Sequence, residues 1–284
     1  MEWSKLKNVI ILLLLALNLF FLVLVGGQTY ELSRAQTRMK EETLTLLEKQ
    51  GILVEEDMVP WDETYESIAL SRERDREEER RLAEEILGGV TSQQLGSTTQ
   101  YHGSLGTVQF YQSGQFSIQL DSGKVPLEGE AERHAVDYLK GVGIPAEVKA
   151  VSREEGTVTV ELWQLWQGKP MFTCQIKMIY QDNALTKVQG LRLSGEEPMA
   201  GTAVGGLATE TLLIRLMGAL RDADAKGSWD IQRILPGYLH RTTGVSAQRV
   251  TLIPVWWMET VQGDCLVLNC LDGTLEELQE LGWR

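Results

Sequence analysis

The chain has 284 residues, and its 40 aspartates and glutamates outnumber its 27 lysines and arginines, which gives a net charge of −13 at pH 7. So acidic a chain repels phosphate backbones and anionic surfaces, so we expect no nucleic-acid partner. The three cysteines, Cys174, Cys265 and Cys270, are too few for a disulfide framework. We expect small buried hydrophobic residues there, and a single disulfide between two of them stays open.

The first feature along the chain is Val9 to Val25, an apolar and uncharged stretch interrupted by Asn18 alone. With the two glycines that follow, it approaches the ~20 residues that a membrane-spanning helix needs. A cleaved signal peptide is the alternative, but its apolar core would be shorter. We therefore predict a single-pass protein of the cell membrane, with residues 1–8 as a cytoplasmic tail, residues 9–27 as a transmembrane helix and the C-terminal bulk extracytoplasmic.

Asn18 is the polar residue in the middle of this span. An amide there hydrogen-bonds well across a helix–helix interface, or else to a carbonyl of its own helix. Asn18 is our candidate partner-binding residue in the membrane.

The next part of the chain is predicted to form a helical stalk over residues 28–60, in which Gly51 is the expected C-cap of the helix, and then a first α+β region over residues 61–125. In that region the sequence predicts a helix over Asp75 to Leu87 and a β-hairpin over Thr107 to Leu120. The charged run from Arg72 to Arg81 is interpreted as a solvated helix face.

From here the chain repeats a helix followed by a β-meander, in a second α+β unit at residues 126–195 and a third at 206–284, with a linker at 196–205 between them. The closing hairpins, Val160 to Met178 and Ile253 to Leu271, both turn at a Gln-Gly pair. The predicted fold class is α+β: one N-terminal transmembrane helix, then extracytoplasmic units of a helix plus an antiparallel meander, which are repeated.

No motif in the sequence indicates catalysis. His102, His134 and His240 are far apart and lie in no metal-binding pattern, and the chain has neither a nucleophile elbow nor a phosphate-binding loop. The glycine-rich run from Gly201 to Gly206 is interpreted as linker. We therefore predict no enzyme activity, no metal, no cofactor and no small-molecule substrate.

The adjacent tryptophans Trp256 and Trp257 are the candidate contact residues outside the membrane. Neighbours on a regular strand point to opposite faces of the sheet. If one indole is buried in the core, the other faces outward, and an exposed tryptophan is a typical anchor of a protein interface.

Three stretches of the chain resemble the YycI-type regulatory proteins of Gram-positive bacteria, which are relatives of YycH. They are MEWSKLKNVIILLLLALNLFFLV at the start, LLEKQGILV followed by VPW at the end of the stalk, and LIPVWWMETVQGDCLVLNCLDGTLEEL near the C-terminus, which also resembles the closing strands of PepSY-like domains. The charged run and the tryptophan-rich strands depart from the family pattern.

The resemblance implies a function. Proteins of this family act with a YycH-like companion protein on the sensor histidine kinase of a cell-wall two-component system, partly through contacts between membrane helices. We therefore expect a membrane-anchored extracytoplasmic regulator whose partners are the kinase, the companion and the membrane. The alternative is an exported PepSY-like binding or inhibitory module that acts on a secreted protease or a wall enzyme.

Overall fold

The computed structural model describes residues 13–15, 17, 18, 20, 34, 35, 37–71, 75–193, 203–222, 228–242 and 249–277. Strands account for most of the described elements. In chain order the helices and strands are α1 (residues 37–49), β1 (Ile52–Val54), β2 (Glu66–Ser71), α2 (Arg76–Leu87), β3 (Thr91–Leu95), β4 (Thr98–Gly103), β5 (Gly106–Phe110), β6 (Gln115–Leu120), α3 (Ala131–Gly141), β7 (Ala146–Glu154), β8 (Thr157–Trp166), β9 (Lys169–Gln181), β10 (Ala184–Leu191), β11 (Val204–Gly205), α4 (Thr209–Asp222), β12 (Trp229–Thr242), β13 (Arg249–Thr260) and β14 (Cys265–Asn269).

Local sequence explains where the helices begin and end. The Asp75 carboxylate caps α2 by accepting hydrogen bonds from the backbone N–H groups of Glu77 and Glu78, at 2.8 and 3.1 Å. Gly88 ends that helix with a positive φ of 79°, a conformation that costs glycine little. The predicted helix at Asp75 to Leu87 and the predicted hairpin at Thr107 to Leu120 are both present.

The fourteen strands form one mixed sheet. Its long strand β9 pairs with β8 along one edge, whereas its other edge faces β12 near Met171 and β10 from Ile176 onward. The contact with β12 is parallel, and β1 also pairs in parallel with β12. Strand β9 therefore joins the two halves of the molecule into one sheet.

The predicted fold class needs correction at this point. We expected separate units, each with its own antiparallel meander, but the structure is dominated by one large mixed sheet on which the helices pack. The local pattern of helix followed by strands is present, but pairings such as Tyr238 with Met171 join residues far apart in the chain. Hydrophobic periodicity carries no information about such long-range neighbours.

The predicted membrane anchor is also corrected. Among the described residues, no helix is long and apolar enough to cross a membrane. The transmembrane helix at residues 9–27, the cytoplasmic tail at 1–8 and the single-pass localisation with an extracytoplasmic bulk are therefore not supported. Within that stretch, only residues 13–15, 17, 18 and 20 are described, and they are helical; the others lie outside the described residues.

Two hydrophobic cores lie between the helices and the sheet. The first core packs α2 and α3 on strands β4 to β10, with Ala83, Leu87 and Leu139 fully buried from the helix side. The second core packs α1 and α4 on strands β12 to β14, with Leu47 and Leu216 fully buried from the helix side. Both cores follow from helical spacing of apolar residues, which places them along one face of each helix.

Candidate functional site

Asn18 is helical, and its side chain is exposed. Its Nδ2 donates a hydrogen bond to the backbone carbonyl of Leu14 at 2.9 Å, one turn earlier in the chain. This is the contact within its own helix that was the alternative to partner recognition. The partner-binding role of Asn18 stays a prediction.

Trp256 and Trp257 point to opposite faces of the sheet, as expected, but neither indole is exposed. Trp256 is 0% exposed in the second core, where its Nε1 donates to the Tyr65 hydroxyl at 2.7 Å. Trp257 is 5% exposed and packs against Trp163 and Phe172, with ring centroids 5.6 and 5.2 Å away. The expected outward-facing indole is wrong, because Trp163 and Phe172 cover Trp257 on the face opposite the second core. Their role in partner binding is untested.

The three cysteines are free thiols, with Cys174 and Cys270 buried and Cys265 half-buried. Burial raises the pKa of the Cys265 thiol to about 12 and also raises the pKa of Cys270. Because the thiolate is the nucleophilic form, thiols with raised pKa values are inert at neutral pH. Cys265 and Cys270 therefore behave as packing residues and not as nucleophiles.

Burial also raises the pKa values of two tyrosines that pack beside His134. His134 Nδ1 lies 3.0 Å from the Tyr180 hydroxyl, and burial raises the pKa of that tyrosine. Burial likewise raises the pKa of Tyr138, to about 12. In the described ranges, no group of three or more His, Cys, Asp or Glu residues is arranged to hold a metal ion. The His134–Tyr180 contact lies against the first core.

One candidate binding surface, the helix groove, lies between α1, α4 and the turn after β14, and encloses about 830 Å³. Leu46 of α1 and Ile214 of α4 contribute large exposed apolar side chains, 45% and 51% exposed, and Met217 and Leu275 are half-buried in the lining. Leu46 is available because the other side of α1, with Leu47, faces the second core. The helix groove is thus an apolar depression beside two helices.

Charge at the helix groove differs from that of the chain as a whole. The exposed Arg215 forms no ion pair with the described part of the chain. The carboxylate of Asp272, also in the lining, caps its own turn by accepting from the Thr274 backbone N–H at 2.9 Å and from the Thr274 hydroxyl at 2.7 Å. A cation is therefore available at the edge of an apolar groove in an acidic protein.

A second candidate surface, the polar cleft, lies between α2, the C-terminal end of α3 and the turn that joins β8 to β9, and encloses about 580 Å³. Arg192 is one of its lining residues and pairs with Glu78 of α2; the Arg192 side chain is only 12% exposed. The buried amide of Gln164 braces the wall by bonding both to the carbonyl and to the N–H of Leu193, at 3.1 and 2.9 Å. The charged run of α2 is consequently not a uniformly solvated face.

Sequence reasoning missed both surfaces. The signal for the helix groove was a second apolar face on α1, with Met39 and Leu46 seven residues apart and both exposed. The polar cleft combines residues from α2, α3 and β8, and no local pattern predicts their proximity.

Comparison with known proteins identifies no family. No family model and no curated protein matches the chain. Solved structures with distant similarity include an uncharacterized protein from Eubacterium rectale, at 11% identity and a TM-score of 0.45 over 77% of this chain and 88% of that one. Another is the Bacillus megaterium YpeB C-terminal domain, at 8% identity and a TM-score of 0.39 over 72% of this chain and 97% of that one.

These likenesses limit what can be said of the resemblance in the sequence. The YpeB C-terminal domain is a distant structural neighbour, and no family model supports the resemblance to the YycI-type proteins. At TM-scores below 0.5, neither structure supports an inference about function.

Proposed function

We propose that this chain is a regulatory binding protein that acts by holding a helix of a partner protein in the helix groove. The observation that carries the proposal is the pair of large apolar side chains, Leu46 and Ile214, exposed on two neighbouring helices across a depression of about 830 Å³. Grooves between helices are a recurrent way of binding an amphipathic helix.

The groove defines the chemistry of the partner helix. Its apolar lining favours a helix with apolar side chains at i, i+3, i+4 and i+7, which would cover Leu46 and Ile214. Covering the exposed part of each side chain contributes about 1 kcal/mol, so several such contacts are needed for micromolar affinity. The guanidinium of Arg215, which forms no ion pair with the described residues, favours an acidic residue beside the apolar stripe, and this charge pair also steers the encounter.

The finer proposal is that the partner is the sensor histidine kinase of a cell-wall two-component system, or the YycH-like companion protein. It rests on the sequence resemblance alone. A regulator of this kind works if it binds one signalling state of the partner better than the other, and a difference of about 1–3 kcal/mol shifts activity five- to 150-fold.

Site-specific photo-crosslinking in living cells tests the proposal. A photoreactive amino acid is placed at position 46 or position 214, and the captured proteins are identified by mass spectrometry. Position 95 on β3 is the matched control, because Leu95 is exposed to nearly the same extent (47%) but lies at the far end of the sheet.

Capture of a sensor kinase or its companion from positions 46 and 214, but not from 95, is the expected result, and Ile214→Glu should abolish the capture from position 46. Capture of a secreted protease or a wall enzyme at the same two positions would overturn the kinase assignment in favour of the inhibitory module. Equal capture from position 95, or no protein captured from the groove, would overturn the groove itself.

A further inference from the structure

The polar cleft carries two cations that the described chain does not neutralise. Arg81 of α2 and Lys140 of α3 are exposed in its lining, and neither forms an ion pair with the described part of the chain. In a chain of net charge −13, unpaired cations from two different helices at one cleft create a local positive potential.

The acidic residues of the cleft do not cancel this potential. Glu78 is engaged by Arg192, so that pair contributes no net charge to the cleft. Glu85 is the remaining acid of the lining, and its negative charge offsets one of the two positive charges of Arg81 and Lys140. The net charge of the lining is therefore about +1, which suits a singly charged anion.

The C-terminus of α3 acts against the two cations, because the carbonyl groups at the C-terminal end of a helix repel anions. Here the end is capped. The N–H groups of Val142, Gly143 and Ile144 donate to the carbonyls of Tyr138, Lys140 and Leu139 at 3.2, 3.1 and 2.8 Å. Because these carbonyls are already satisfied and Lys140 lies in the last helical turn, the cations outweigh the helix end.

Part of the remaining lining is apolar. Leu82, Val142 and Trp166 are all buried and line the cleft. The polar groups of Gln164 bond to Leu193, so the polar side chains available to a ligand are those of the two cations and of the exposed Gln167. A volume of about 580 Å³ lies within the ~300–1,000 Å³ range of small-molecule sites.

We propose that the polar cleft binds a small carboxylate that carries an apolar group, with the carboxylate between Arg81 and Lys140 and the apolar group against Leu82 and Trp166. Such a ligand satisfies both features of the lining at once, whereas an uncharged or cationic compound satisfies at most one. The ligand is bound and not turned over, and this proposal is independent of the helix groove.

The probe is N-acetyl-L-phenylalanine, and N-acetyl-L-phenylalanine amide is its uncharged counterpart. Isothermal titration of the full chain with each compound at low ionic strength measures the contribution of the carboxylate. We expect the acid to bind at least about tenfold more tightly than the amide, because the difference is one charge-assisted contact of about 1.4 kcal/mol. At about 1 M salt this advantage should shrink, since both cations are exposed to solvent.

Arg81→Gln and Lys140→Gln should each weaken binding of the acid about fivefold and leave binding of the amide unchanged. Arg80→Gln is the matched control, because Arg80 directly precedes Arg81 on α2 but is already paired with Glu84 at 3.0 Å. Thermal unfolding of each variant verifies that the fold is intact.

Three results would overturn the proposal: equal affinity for the acid and the amide, no binding of either compound, or a loss of affinity in Arg80→Gln as large as that in Arg81→Gln. None of these results bears on crosslinking at positions 46 and 214, so the two proposals fail independently.

Discussion

The two cores differ in how completely their helices are covered. In the first core, α2 and α3 bury their apolar residues on the sheet, and what remains between them is the polar cleft. In the second core, α1 and α4 bury one face each but leave Leu46 and Ile214 exposed beside the helix groove. The same arrangement of helices on a sheet thus gives one surface suited to a charged ligand and another suited to an apolar partner.

The largest effect is expected from Trp256→Ala, which empties the centre of the second core. Trp256 is fully buried and its Nε1 is bonded to Tyr65, so the variant loses packing and leaves the buried Tyr65 hydroxyl without that partner. We expect a loss of about 3–5 kcal/mol in the free energy of unfolding, measured by urea denaturation. Trp256→Phe keeps most of the volume and should lose only about 1–2 kcal/mol. Equal losses in the two variants would show that the hydrogen bond, and not the packing, dominates.

The next effect concerns the contact between the two halves of the sheet. A Cβ at Gly237 of β12 would lie 2.5 Å from the Pro170 carbonyl oxygen and 2.6 Å from the Phe172 ring of β9. Gly237→Ala should therefore force β9 and β12 apart and cost about 1–3 kcal/mol. A urea transition at the wild-type midpoint would contradict this close approach.

How far the sequence determines the structure is clear from these residues. Periodicity and capping predicted the helix after Asp75 and the hairpin at Thr107 to Leu120, because those signals are local. The parallel contact between β9 and β12 was missed, because it joins Met171 and Tyr238, which are 67 residues apart, and depends on Gly237. Both surfaces were missed for the same reason, and the outward indole at Trp257 was wrong because Trp163 and Phe172 cover it.

A glycine-to-alanine substitution in the helix groove should raise the free energy of unfolding, whereas Gly237→Ala lowers it. Gly218 lies inside α4, and a Cβ there would meet nothing within 4 Å. Gly218→Ala should stabilise the chain by about 0.5–1 kcal/mol, because alanine loses less backbone entropy in a helix. If the groove receives a partner helix close to Gly218, the added methyl should also reduce crosslinking from position 214. A more stable variant with unchanged crosslinking would place the partner elsewhere along the groove.

The smallest effect is a pH dependence of the free energy of unfolding, which arises from the ion pair between Glu161 of β8 and Lys177 of β9. The Lys177 ammonium, 2.9 Å from Glu161, lowers the pKa of that carboxyl, and Lys149, farther away at 3.5 Å, adds less. A lowered pKa stabilises the fold above the pKa of the unfolded chain, near 4.3, and this contribution disappears as pH falls through the folded value.

Lys177→Gln should therefore be less stable than the wild type at pH 6, by a few tenths of a kcal/mol, because both side chains are partly exposed. The two proteins should converge near pH 3, in urea denaturation at each pH. Lys187→Gln is the control, since Lys187 of β10 forms no ion pair within the described ranges. A difference between wild type and Lys177→Gln that persists at pH 3 would exclude this electrostatic origin.

The strand β9, which changes neighbour along one edge, has a consequence for biosynthesis. Its C-terminal part can pair with β8 and β10 as soon as residue 191 has been made, but its N-terminal part gains β12 only after residue 242. At about 5–20 residues per second, the ribosome needs several seconds to add the intervening chain. During that interval Met171 and Phe172, both fully buried in the finished protein, lie at an open strand edge, where a nascent chain of this sequence is most prone to aggregate or to recruit a chaperone.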